Sequence, residues 1–509
     1  MQPGEPRAVG GVVDAGAMPP KGGTGIAFDR SMQHATGRRH AGSRQRFGDL
    51  YRRALQQLEV LAVLPRYVRR VDWPEARMRA FQLARLRSML AYAKQHSGFH
   101  RQRLAGVEPA RLTWDDLGAL PTMTKADLMA HYDDVLTTPN LTLARANDHI
   151  QGTEAGRFLA RRYQVVTSAG SSGRRGVFIY DWGAWRTLQA ANIRMAIRDA
   201  LRTRRGLRFS TVAVIGAQNH WHLTRLAAEA FHVPPFVQVR PIPAALPLEQ
   251  LVQRLNAIQP DTLAGYASLL PELAREARAG RLNIPLHRVV STGEPLDRSA
   301  RLAMIDVWGA RVANTWATSE CGPAASGCFA ADGMHLSEDL VIVEPVDAGG
   351  RPVPRGERAA KVLLTNLYNT VLPLVRYELT DQVVMEPEPC PCGSPRARVR
   401  AIEGRQEDIF YYPNARIHPH VLRSPLVRDP AVTEYQVVQR PHGVEVRLRT
   451  HGWADIARIK RELIAAVEGA GLSGPEVVVH AVPVLHRGPG GKIKRFIPLS
   501  EADAPQARS

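Results

Sequence analysis

Cysteine is scarce in this chain: 4 residues among 509 exclude a disulfide-stapled scaffold. Lysine is nearly as scarce, at 7 against 60 arginines. No stretch approaches the roughly 18 uninterrupted apolar residues of a membrane helix. Residues 1–27 are rich in glycine and proline and lack the apolar core of a secretory signal, so the cytoplasm is the expected location, with no membrane partner. No basic run of five residues occurs, and no basic stretch is interleaved with aromatics.

What is present is a 56.2 kDa globular composition, 44% apolar and 23% charged, too long for one core of usual size. The net charge of +19 suits a polyanionic partner. The charge comes as scattered arginine pairs, so a nucleotide or coenzyme A is a better match than nucleic acid. Residues 1–45 read as a disordered tail, with Met18 and Met32 as alternative starts.

A helical pattern runs from Phe47 to about Leu104, with Leu83, Leu86, Met89, Leu90 and Tyr92 as its apolar positions. Thr124 and Asp127 form a capping-box arrangement that opens a helix. Short apolar runs at Thr211–Ile215, Arg288–Ser291, Leu340–Val343 and Lys361–Leu364 read as strands. Leu248–Ile258 and Leu269–Ala279 read as helices between them. The expected class is α/β, with mixed sheets and helices in a large N-terminal domain over residues 46–404. After Gly404 the texture changes. Val432–Gln439, Gly443–Arg449, a helix at Ile456–Val467 and Glu476–His480 describe a small α+β domain, residues 405–509.

Four segments carry chemistry. Thr167-Ser168-Ala169-Gly170-Ser171-Ser172-Gly173 follows an apolar pair and offers backbone N–H groups and hydroxyls to phosphate oxygens; a surface loop reads equally well. Asn314 to Glu320 places Ser319 and a carboxylate, Glu320, at a strand end, suited to Mg²⁺, with Trp316 offering a flat face or filling a core. Arg376 to Asp381 supplies an aspartate for a ribose diol and an arginine for an anion, or a surface ion pair. Gly490-Gly491-Lys492 puts a lysine on a glycine-rich loop, suited to charge developing in phosphoryl transfer, or to a solvated basic tail.

In this order the four segments resemble the signature set of the adenylate-forming superfamily. From about residue 75 the chain is similar to its phenylacetate–CoA ligase-like branch, through residues 124–128, Gly265-Tyr266-Ala267-Ser268 and Ser291-Thr292-Gly293-Glu294-Pro295-Leu296. Gly404-Arg405-Gln406-Glu407-Asp408 matches the hinge motif. The resemblance implies ATP-dependent activation of a carboxylic acid through an acyl-adenylate, then transfer to coenzyme A, with an aromatic or arylacetic acid as the expected substrate.

By the same resemblance, Thr167, Ser168, Gly170, Ser171, Ser172 and Gly173 hold phosphates. Gly293, Glu294, Pro295, Trp316 and Ser319 border the adenine and its surroundings, and Asp381 takes the ribose. Glu320 holds Mg²⁺, Arg405 lies close to the nucleotide, Lys492 serves adenylation and Glu407 is the hinge. His220, Trp221, Tyr266 and Ala267 are the candidate acyl-pocket residues. The chain departs from the pattern at Ala169, Arg174-Arg175, Trp316-Ala317, Ser319 and Thr380. Other outcomes stay open: an acyl carrier protein or an amine as acceptor, AMP transfer to a hydroxyl, a non-catalytic nucleic-acid-binding protein on the same fold, and a homodimer.

Cys328, His335, Cys390 and Cys392 make a three-sulfur, one-nitrogen set that suits a closed structural Zn²⁺ site, though Cys-x-Cys is tighter than the common spacing. The branch carries similar residues in these segments. Cys321, beside Glu320, is then the one free cysteine near the chemistry.

Overall fold

The structure is a computed structural model that describes residues 55–152, 158–168, 176–202, 210–216, 221–230, 237–244, 246–405, 408–417, 419–427, 429, 431–450, 452–486 and 493–499. Residues from Arg53 onward cluster as one compact unit. The expectation for residues 1–45 lies outside the described residues.

Its centre is a nine-stranded sheet. Five strands run parallel, in the spatial order Val237–Pro243, Ser210–Gly216, Thr262–Tyr266, Arg288–Thr292 and Arg311–Thr318. Four more extend it antiparallel, in the order Gly322–Gly327, Met334–Leu336, Arg398–Arg405 and Asp381–Met385. The helices Leu248–Ile258, Leu270–Arg278 and Arg298–Trp308 join the parallel strands and cover one core, built on Leu251, Leu255, Leu263, Leu270, Leu273, Val289 and Met304. Parallel strands require such crossovers, and burial on both faces explains their continuous apolar runs.

A second, larger core packs the hairpin of Tyr163–Thr167 and Val177–Asp181 and the helix Trp182–Arg202 against the antiparallel half. An antiparallel three-stranded sheet, Val341–Val346, Lys361–Asn366 and Tyr377–Leu379, lies beside it. The helix Glu75–His96 buries Met78, Leu86, Met89, Leu90 and Ala93. Tyr92 departs from the expected face: it is exposed and rests on His96, because around the helix it lies just past the Met78 and Met89 edge of the buried stripe. The Thr124 box is present, with the Asp127 N–H donating to Thr124 Oγ1 and the Thr124 N–H donating to Asp127.

The C-terminal region has a core of its own. Strands Glu476–Ala481, Gly443–Thr450, Val432–Arg440 and Phe496–Ile497 form a four-stranded sheet under the helices Pro419–Val427 and Ile456–Gly469. Phe410, Leu422, Leu426, Val437, Val446, Ile459 and Leu463 are fully buried there, each contributing about 1.5–3 kcal/mol by burial. The expected boundaries of these strands and helices agree to within a few residues.

Candidate functional site

The hairpin Tyr163–Thr167/Val177–Asp181 sets the first wall. Its register puts Thr167 opposite Val177. Beyond that pair the Ser168 N–H donates to the Gly176 carbonyl at 3.0 Å, and the Gly176 N–H donates to Ser168 Oγ at 2.8 Å. The base of the glycine- and serine-rich segment is thus pinned on both sides. Gly170, Ser171, Ser172 and Gly173 lie outside the described residues. Thr167 is buried, and its N–H donates to the Trp221 carbonyl at 2.8 Å.

The second wall is the turn after the strand Arg311–Thr318. Three successive carbonyls there are each taken by a side chain: Tyr180 O–H donates to Ser319 at 2.7 Å, the Asn366 amide to Glu320 at 3.2 Å, and Tyr368 O–H to Cys321 at 2.9 Å. The Ser319 hydroxyl donates to the Thr167 carbonyl at 3.3 Å, joining this turn to the hairpin. Gly322 closes the turn at φ +65°, where an added Cβ would stand 2.6 Å from Leu188 Cγ, so only glycine fits. The Glu320 side chain, partly buried, rises from a turn fixed at every carbonyl.

The third element is Asp381, which lies opposite Arg405 in the register of the strands Asp381–Met385 and Arg398–Arg405. Asp381 is buried. Burial pushes the Cys321 thiol up to about 12; its hydrogen bond with the Thr318 hydroxyl opposes this, and the Glu320 and Asp381 charges add to it. Both carboxylates therefore act on one buried point.

The fourth is the turn after the strand Arg288–Thr292. Gly293 sits at φ +73°, and Glu294 Oε2 accepts from the Ser268 N–H at 2.8 Å. This ties the ends of two neighbouring parallel strands together. Ligands of α/β sheets lie at such carboxyl ends.

Three cysteines and a histidine converge elsewhere. Cys328 Sγ stands 3.6 Å from Cys390 Sγ, and Cys392 Sγ 3.3 Å from His335 Nε2. All four donor atoms lie within 4.8 Å of one another. His335 Nδ1 is 3.2 Å from the Arg396 carbonyl; with the proton there, Nε2 is left for the cluster. The Ala330 and Ser394 N–H groups donate to Cys328 and Cys392 sulfur at 3.4 Å. This donor chemistry and spacing fit one tetrahedral, thiolate-rich divalent ion.

No family model matches the chain. Over 382 residues it is 26% identical to a phenylacetate–coenzyme A ligase from Thermus thermophilus, covering 73% of this chain and 80% of the relative. Protein CapK of Staphylococcus aureus is 24% identical over 197 residues, 38% of this chain and 42% of the relative. Among solved structures, a 2-hydroxyisobutyryl-CoA ligase in the postadenylation state, in complex with an acyl-AMP, superposes with a TM-score of 0.66 at 23% identity, covering 85% of this chain and 92% of that one. The chain has the fold of the adenylate-forming coenzyme A ligases. In sequence it is similar to a phenylacetate–coenzyme A ligase over most of its length.

The structure joins the hairpin base at Thr167 and Ser168 to the Ser319–Glu320 turn through the single Ser319-to-Thr167 hydrogen bond, and the Asp381 charge acts on Cys321 in that turn. Trp316 is only 4% exposed and packs in the large core, its indole N–H without a partner among the described residues. It is a core tryptophan on a strand where inward and outward positions alternate. Tyr266, Ala267 and Trp221 are buried too; Tyr266 fills the core beneath the parallel strands, and Trp221 meets the His149 ring edge-on at 5.1 Å. Arg376 is not available to an anion. Buried at φ +47°, it pairs with Glu344 at 3.1 Å and donates to the Gly118 carbonyl at 2.7 Å.

His220, Glu407 and Lys492 lie outside the described residues; Arg405 is placed by its strand. Sequence reading missed Tyr180, Tyr368 and the cap made by Asn366, whose Oδ1 accepts from the Tyr368 and Asn369 N–H groups at 3.0 Å. The Thr365-Asn366 pair carried a signal for the cap. Nothing local marks the tyrosines, which act across 139 and 47 residues of chain.

Proposed function

We propose that this protein activates a carboxylic acid with ATP, forming an acyl-adenylate and pyrophosphate, and then passes the acyl group to coenzyme A. The observation that carries this is the joining of the hairpin base at Thr167 and Ser168 to the Ser319–Glu320 turn, with the Asp381 charge acting on Cys321 in that turn. A nucleotide triphosphate needs such an arrangement: amides and hydroxyls at one edge, a carboxylate for the metal, and a carboxylate for the ribose. The likeness to the Thermus ligase supports coenzyme A as acceptor and an aromatic or arylacetic acid as substrate.

In this reading the residues act mainly by position and charge. Ser168 and the segment to Gly173 hold the phosphates, and Gly293, Glu294 and Pro295 border the adenine. Asp381 accepts from the ribose hydroxyls, with Arg405 opposite. Glu320 holds Mg²⁺, which neutralises phosphate charge when bound. Lys492 meets charge developing at the α-phosphate as the carboxylate attacks and pyrophosphate leaves. The C-terminal region, residues 405–509, turns about Glu407 between the two half-reactions. His220, Trp221, Tyr266 and Ala267 shape the acyl side. Cys328, His335, Cys390 and Cys392 hold Zn²⁺, which ties the 328–335 segment to the 390–392 turn.

The test is carboxylate-dependent ATP–pyrophosphate exchange over aryl, arylacetic, fatty and amino acids, followed by acceptor competition among coenzyme A, a carrier-protein thiol and an amine. Exchange with one acid class and thioester only with coenzyme A is expected. In Lys492→Ala, exchange should fall about 10²–10³-fold with the unfolding midpoint unchanged. Exchange near the parent level in that folded variant would remove Lys492 from the reaction.

A further inference from the structure

The C-terminal sheet meets the large unit at a buried charge cluster. Glu272, on the helix Leu270–Arg278, is 2% exposed. Its Oε2 accepts from Arg449 Nη1 at 2.6 Å, and the same nitrogen donates to Glu434 Oε2 at 3.0 Å. Arg449 belongs to the strand Gly443–Thr450 and Glu434 to the strand Val432–Arg440, both in the C-terminal sheet. A second pair, Arg423 with Asp297, links the helix Pro419–Val427 to the start of the helix Arg298–Trp308. Asp297 is two residues beyond Pro295, so this pair borders the turn that carries Gly293 and Glu294.

One guanidinium between two buried carboxylates is not a simple bond. Burial first, then the Glu434 charge, pushes the Glu272 carboxyl up to about 7, against the pull of Arg449 and Arg275. Those three are the charged groups that act on it most strongly. A carboxyl raised in the closed arrangement takes up a proton on closing. Closure is therefore favoured below the ordinary carboxylate range and is weakened as pH rises through about 7. Arg449 is what makes the closed arrangement tolerable at all, since without it two buried carboxylates face each other.

We propose that Glu272, Arg449 and Glu434 form a clasp between the C-terminal region and the large unit, in which Arg449 holds the two together and the charge on Glu272 loosens them. The clasp sets how the protein divides its time between its two half-reactions. This last step rests on the acyl-adenylate reading above; the clasp itself does not. These are positioning residues, since none touches substrate.

Two conservative variants separate the roles, because they act in opposite directions. At pH 8, Arg449→Gln opens the clasp and Glu272→Gln, which keeps the shape and removes the charge, closes it. Amide hydrogen exchange along Leu270–Arg278, compared at one pH, should speed up about tenfold in Arg449→Gln and slow down in Glu272→Gln. The ratio of pyrophosphate exchange to acyl transfer from added acyl-adenylate should move in opposite directions in the two variants. At pH 5.5 Glu272→Gln should behave as the parent does. Exchange that is unchanged in both variants, or faster in both, overturns the clasp. Opposite amide-exchange shifts with an unmoved half-reaction ratio keep the clasp and overturn its catalytic role. If the parent shows neither half-reaction with any acid, the functional reading fails while amide exchange still decides the clasp.

Discussion

The Ser319 hydroxyl donates to the Thr167 carbonyl at 3.3 Å, although 152 residues separate the two. One hydrogen bond thus fastens the last residue of the hairpin strand to the turn that carries Glu320. The hairpin base and the Glu320 turn are thus held at a fixed spacing, which suits a site that works by positioning.

The Glu320 turn depends on Asn366 more than on any other single side chain described. Asn366 is fully buried, donates to the Glu320 carbonyl and accepts from two N–H groups. Asn366→Ala should cost about 2–3 kcal/mol of stability, because buried groups are left unmet. Pyrophosphate exchange should fall further than the loss of folded protein explains. Urea unfolding and exchange measured on the same preparation separate the two effects.

The cysteine–histidine cluster gives a metal prediction. Purified protein should hold one equivalent of zinc by elemental analysis, and Cys328→Ser should lose most of it. Chelation should lower the unfolding midpoint, since thiolate-bound metal contributes folding energy. Full zinc content in Cys328→Ser would show that this site does not bind it.

Cys321 is fully buried beside Glu320, and its thiol is raised to about 12. It stays protonated through pH 9, so thiolate chemistry is closed to it. Alkylation by iodoacetamide at pH 8.5 should leave Cys321 unmodified in the native protein and modify it in denaturant. Native labelling at Cys321, mapped by mass spectrometry, would contradict this.

His100 is fully buried, its Nε2 3.0 Å from the Pro373 carbonyl, and burial lowers its pKa to about 4; the Pro373 contact opposes the shift and Arg103 adds to it. The folded state holds His100 neutral while the unfolded chain protonates near 6.5. The unfolded state therefore binds more protons in that window, and stability falls as pH drops from about 6.5 to 4, by about 3 kcal/mol from this residue. His100→Gln should flatten that part of the stability–pH curve. An unchanged slope in the variant would assign the acid loss to other groups.

The sequence by itself determined the local elements and the chemistry on offer. The Thr124 box, the helix Leu248–Ile258 and the C-terminal strands follow from capping residues, helical spacing and β-branched runs, which act over a few residues. The thiol–imidazole set and the order of the four segments were legible for the same reason: residue types and spacing are local. The fate of long-range partners was not. Trp316 read either as a flat face for a base or as a core residue, and packing decides for the core. Arg376 read either as an anion holder or as half of a surface ion pair; the fold makes it a buried ion pair with Glu344, 32 residues away. Tyr180, Tyr368 and Asn366 fix the Glu320 turn from three separate segments, and Glu272 meets Arg449 across 177 residues. Only the folded chain decides such pairings, because a buried carbonyl or charge takes whichever partner packing brings within hydrogen-bond reach.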